Sequence, residues 1–142
     1  MQFKVKLSDI YNEMDIQCDI FISYLNKKTG KMTVVSAEEM KYAAYEDNEI
    51  PDHVPLEEDS LAVARGILGS DDYIRLPTKQ EISETRIMEE FCLSLEDEEL
   101  REEMHSSEGP SRRLKKDWFK YRRKAFKQIA IDWCNRNNIP YQ

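Results

Sequence analysis

Nine Lys and Arg residues fall between residues 111 and 127, against the single acid Asp117. Guanidinium and ammonium groups on one exposed face hold phosphate oxygens, and aromatic rings set between them can stack on unpaired bases. Helical spacing separates the two sets in this stretch. Trp118, Ala125, Ile129 and Trp133 share one face, with Phe126 and Ala130 beside them, so the rings are expected to be used in packing. Arg112, Arg113, Lys116, Lys120, Arg123, Lys124 and Lys127 remain as candidate contacts for an anion or a nucleic acid. The plainer expectation for these residues is a solvated face, or pairing with acids elsewhere in the chain. Arg112 and Arg113 stand where a helix begins, and Arg suits planar, bidentate anion recognition. An internal carboxylate (Glu89, Glu90 or Asp97) is their ordinary partner, and a bound phosphate the sharper one.

The remaining reactive types are poorly placed for chemistry. Asp47, Glu49 and Asp52, or Glu57, Glu58 and Asp59, supply hard oxygen ligands but lack the spacing and glycine of a calcium loop. His53 and His105 are isolated, with no HExxH spacing. Cys92 lies in an apolar stripe among acids, where a thiol is expected to be less reactive. Four glycines form no phosphate loop, and there is neither a CxxC nor a GxSxG motif. No catalytic residue, metal site or cofactor is therefore expected.

One hundred and forty-two residues suffice for one ordinary domain with a real core, and 1–142 is read as a single globular unit. The net charge of −7 hides a strong division: +1 over residues 1–37, −16 over 38–108 and +8 over 109–142. The overall acidity disfavours a dedicated nucleic-acid coat protein, although a local basic patch still acts within about 8 Å at physiological salt. No apolar run approaches the roughly 20 residues that span a bilayer, and the alternating start (Met1 to Lys6) has no leader-like apolar block. Three widely spaced cysteines suit reduced, mostly buried thiols and a cytoplasmic location.

The elements that must position the basic segment follow from local pattern. Ser8 is the expected N-cap of a short helix with Ile10, Tyr11 and Met14 on one side. Residues 20–25 and 32–35 read as strands of a hairpin, joined by a turn containing Gly30. Ser36 and Glu39 set a capping box for the next helix. Residues 47–55 read as a loop. Residues 56–68 read as a helix through Leu61, Ala64 and Leu68, ended by Gly69. Residues 73–76 make a third strand, ended by Pro77. Thr78 and Glu81 open a helix expected to run to Leu95, with Ile87, Met88, Phe91, Cys92 and Leu95 inward. A short helix over 97–105 and a long one from Pro110 to Arg136, with room for a bend near Lys116 and Asp117, complete the chain. Few strands and several helices without βαβ alternation indicate an α+β fold: a small antiparallel sheet, made of the hairpin plus one added strand, packed by several helices, with a long C-terminal helix. The helices over 78–95 and 110–136 are expected to form the main apolar contact, anchored by Trp118 and Trp133.

Several ordered stretches also carry a resemblance. These are Lys6–Ile10, Tyr24–Gly30, Ile74–Pro77, Ile87–Phe91, Arg112–Lys115, Trp118–Arg122 and Ala130–Trp133. Together they resemble the bacterial uncharacterised protein family 0158 over nearly the whole chain. Two features depart from that family. Ser111 stands where the family has a phenylalanine, and only Lys116 and Asp117 separate the arginine and tryptophan motifs. The resemblance implies a shared fold and supplies no catalytic residues. The functional expectation is a non-catalytic, cytoplasmic protein-interaction or regulatory module that binds another protein or itself, without a membrane partner. The alternative is a nucleic-acid or anionic-ligand binder using the basic face over 111–127.

Overall fold

The computed structural model describes residues 3–142; Met1 and Gln2, which open the alternating start, lie outside them. Its elements are α1 (Leu7–Ile16), β1 (Phe21–Asn26), β2 (Met32–Ser36), α2 (Ala37–Tyr42), a single 3₁₀ turn (Asp47–Glu49), α3 (Glu58–Leu68), β3 (Tyr73–Arg75), α4 (Lys79–Ile82), α5 (Glu84–Ser94), α6 (Glu98–His105) and α7 (Arg112–Arg136). The sheet is antiparallel, in the order β2-β1-β3. This is the α+β fold that the sequence pattern describes.

The hairpin forms where the turn chemistry asks for it. The Asn26 side chain accepts hydrogen bonds from the Lys28 and Thr29 amides, at 2.8 and 3.2 Å. Gly30 takes φ +75, and a Cβ there would stand 2.7 Å from the Phe3 ring, so only glycine fits. Along β1 and β2 alternate residues face opposite sides. Leu25 meets the main core, while Val35 faces the layer made by α2 and α3.

Helix starts obey local rules with instructive exceptions. Ser36 caps α2, its Oγ accepting the Glu39 amide at 3.0 Å while its hydroxyl donates to the Glu39 carboxylate at 2.6 Å. Thr78 and Glu81 form the reciprocal capping box at α4. Ser8 caps nothing. Helix α1 starts two residues earlier, with Lys6 as N-cap, and the Leu7 amide is taken by the Gln142 carbonyl at 3.2 Å. A backbone partner replaces the expected hydroxyl.

The helix expected over 78–95 breaks at Ser83, whose φ is +49. Ile82 and Ile87 are both 5% exposed. Five positions apart on an unbroken helix they would point about 140° away from each other, and the break turns both inward. On α3 the buried set is Leu61, Ala64 and Ile67; Leu68, the last helical residue before the chain leaves for β3, is 53% exposed. Pro110 stands before the N-cap of α7, which is Ser111. That helix is unbroken through Lys116 and Asp117, so the arginine and tryptophan motifs share one rod of about 37 Å.

Both tryptophans point inward, Trp118 at 8% and Trp133 at 3% exposure. Phe91 packs on Trp118 and Tyr121, with ring centroids 5.4 and 5.3 Å apart. Helix α7 rests on α1 as well as α5, a contact broader than the pairing with residues 78–95 alone. The Trp133 indole N–H donates to the Arg75 carbonyl at 3.2 Å, tying the last helix to β3. Of the three thiols, Cys92 and Cys134 are buried and Cys18 is exposed, in keeping with the expectation that most of them are buried. No helix among the described residues is long and apolar enough to cross a membrane.

Candidate anion-binding face of the last helix

The buried side of α7 is made by Leu114, Trp118, Phe126, Ala130, Trp133 and Cys134. With that side fixed against α1 and α5, the opposite side must face solvent. Arg112, Arg113, Lys116, Lys120, Arg123, Lys124 and Lys127 are all exposed. Among the described residues none of the seven has a carboxylate within ion-pair distance. Two of the acids expected to pair with them are engaged close to home. Glu90 pairs with Arg86 one turn away, at 3.2 Å, and Asp97 caps α6 by accepting the Glu99 amide. The carboxylate at the start of α7 is Glu103, outside the expected set of Glu89, Glu90 and Asp97. It accepts the Ser111 amide at 2.5 Å.

Arg112, Lys116, Lys120, Arg123 and Lys127 follow one another at three- and four-residue steps, forming a stripe about 22 Å long. Arg112, Lys116, Lys120 and Arg123 share a hollow of about 650 Å³ with Pro110, Lys115 and Phe119. Lys120, Arg123, Lys124 and Lys127 share a second, of about 590 Å³, with Tyr11 and Tyr121. A smaller one of about 210 Å³ touches Phe119, Arg122, Arg123 and Asp15. Arg113 lines none of the three.

Phe119 is the residue that sequence reasoning missed. Its neighbour Trp118 is buried as expected, yet Phe119 is 56% exposed and sits inside the cationic stripe. The signal was present: Phe119 stands seven residues after Arg112, three after Lys116 and four before Arg123, on their side of the helix. Assigning every ring in the segment to the core concealed it.

Arg122 has the opposite role. Its side chain is 17% exposed; Nη2 donates to Asp15 on α1 at 2.5 Å, and Nε donates to Glu84 on α5. The guanidinium also lies 4.2 Å from the Phe126 ring centroid. Burial works against its charge, but the hydrogen bonds to Asp15 and Glu84 outweigh it and hold the Arg122 pKa above its usual value. One basic residue of α7 therefore binds three helices together, while the candidate contacts remain open.

The other groups are dispersed. Asp47 pairs with Arg65 at 2.9 Å. Among the described residues no three His, Cys, Asp or Glu gather as metal ligands, and His53 and His105 are exposed. Burial pushes the Cys134 thiol up to about 11. No family model, curated protein or solved structure matches the chain.

Proposed function

We propose that this protein is a non-catalytic binding module that holds a polyanion on the open side of α7. The observation that carries the reading is the set of seven exposed cations, unpaired among the described residues, on a rigid helix whose other side is anchored by two tryptophans. Positive charge on a fixed rod, set beside shallow hollows lined by rings, suits an extended anionic chain better than a small molecule. The two larger hollows are lined by cations, rings and a proline, without a carboxylate, imidazole or thiol to act as acid, base or nucleophile. The same proposal includes kinship with uncharacterised protein family 0158, supported by the ordered motifs from Lys6 to Trp133.

The test is titration of the protein with inorganic polyphosphate at low and at physiological salt. Binding that weakens steeply with salt, and disappears in a Lys116→Glu, Lys120→Glu, Arg123→Glu variant of unchanged thermal stability, is the expected result. Equal binding by that variant rejects the face.

A second reading, docking to another protein, is favoured by a separate surface. Ile20, Phe21 and Val34 are 65, 50 and 48% exposed around the β1–β2 pair, and β2 is an edge strand. Loss of a captured partner on Phe21→Ser, with α7 untouched, would move the working surface there.

A further inference from the structure

Resting on the reading of α7 as a polyanion face, we infer that its ligand is a single-stranded nucleic acid, with Phe119 as the platform on which a base stacks. Three observations narrow the partner. First, the cations are spaced for a chain of charges: Arg112, Lys116, Lys120 and Arg123 follow each other three or four residues apart, with Cβ atoms of neighbours about 5–6 Å apart. Second, a ring stands among them. Phe119 is 56% exposed in the hollow these four cations line, whereas the core side of α7 buries its neighbour Trp118. A large apolar ring left wet inside a cationic hollow is unfavourable by itself, and it is well matched to a ligand that carries flat apolar faces between its charges. Third, the amide end of the helix is partly taken, since Glu103 accepts the Ser111 N–H and the Ser111 Oγ accepts the Leu114 N–H. The cations continue from that end along the side of α7 to Lys127, the course that an extended strand would follow.

Other polyanions fit less well. An acidic peptide brings carboxylates but no π-face for Phe119. Polyphosphate brings charge alone. A duplex brings phosphates with its base faces already stacked, so the ring would have nothing to cover. Every base of a single strand has an available face, so stacking on Phe119 is tolerant of sequence. The rest of the chain is acidic, yet beyond a screening length of about 8 Å at physiological salt it does not cancel a contact made at the stripe.

The experiment uses the full chain and four probes: a fluorescent single-stranded DNA of about twelve nucleotides, its duplex, inorganic polyphosphate and poly-glutamate, each measured by anisotropy over a salt series. With about four phosphates engaged, single-strand affinity should fall about 50-fold between about 50 and 200 mM salt. Phe119→Ala should weaken the single strand about tenfold and leave polyphosphate unchanged, whereas Phe119→Trp should retain binding and show indole quenching. Both substitutions are at an exposed site, and unchanged thermal melts will show that the fold is kept. Single-strand binding indifferent to Phe119→Ala, or poly-glutamate or duplex binding as tight as the single strand, overturns the nucleic-acid assignment and leaves the polyanion face standing. Failure of all four probes at low salt overturns both.

Discussion

Replacing Trp133 tests the architecture on which the open face depends. Its indole is 3% exposed, and its N–H reaches the Arg75 carbonyl at 3.2 Å. In the β1–β3 register Arg75 stands opposite Tyr24, while the amide of the next residue, Leu76, donates to Ser23. Antiparallel alternation then turns the Arg75 carbonyl outward, away from β1, where the indole is its partner. Trp133→Phe keeps most of the apolar volume but leaves that carbonyl without the donor, a change of about 1–2 kcal/mol. Trp133→Ala adds an unfilled cavity and should cost about 3–5 kcal/mol. With a urea m-value of about 1–3 kcal/mol/M, the alanine variant should unfold about 2 M earlier than the parent. Trp118 remains as a fluorescent reporter in both variants. Equal midpoints for the parent and Trp133→Ala would refute the inward placement of the ring. Equal losses for the Phe and Ala variants would instead assign the whole effect to the hydrogen bond.

Other perturbations have defined outcomes. Arg122→Met keeps the apolar stem against Phe126 but frees Asp15 and Glu84; since both carboxylates are about half exposed, the loss should be about 1–2 kcal/mol and shrink at high salt, as denaturation at two ionic strengths would show. Cys134 links stability to pH: a thiol raised by burial from 9.0 to about 11 favours the folded state below about pH 9 and loses that contribution as pH rises to about 11. Thermal melts should therefore show the parent losing stability relative to Cys134→Ala across that interval, and a thiol reagent at neutral pH should modify Cys18 before Cys92 or Cys134. Ser83→Gly should raise stability by up to about 1 kcal/mol by relieving the left-handed backbone, while Ser83→Val should lower it, as measured in urea.

Much of this fold was legible because its signals are local. The Asn26–Gly30 turn and the Ser36 and Thr78 caps each act within a few residues and formed as read, and the apolar spacing of α7 put Trp118, Phe126, Ala130 and Trp133 inward, although Ala125 and Ile129 of the expected face are only half-buried. The misreadings have long-range causes. Ser8 was displaced as a cap because the carbonyl of Gln142, far away in sequence, serves the Leu7 amide. The break at Ser83 answers the demand of a core that takes in both Ile82 and Ile87, and no local composition announces it. The seven candidate cations were recognisable from their helical phase, and the structure leaves all of them exposed. Arg122 and Phe119 exchanged the roles their types suggested. For Phe119 the helical phase pointed outward and only its residue type suggested burial, whereas periodicity within α7 does not say that Asp15 and Glu84 lie opposite Arg122.

The pairing of Val5 with residues 140–142 bears on how the molecule is made. Val5 donates to Pro140 and accepts from Gln142, and it bridges Tyr141 in parallel. A ribosome delivers these partners far apart in time, so the residues around Val5 emerge early and wait while everything between them is synthesised. The first helix can gain its backbone clamp only after Pro140, Tyr141 and Gln142 have cleared the exit tunnel. Docking of the early segment is thus a late event, dominated by sequence-distant closure and slow by that measure. A nascent chain stalled before Ile139 should remain sensitive to protease at α1 after its hairpin has become resistant.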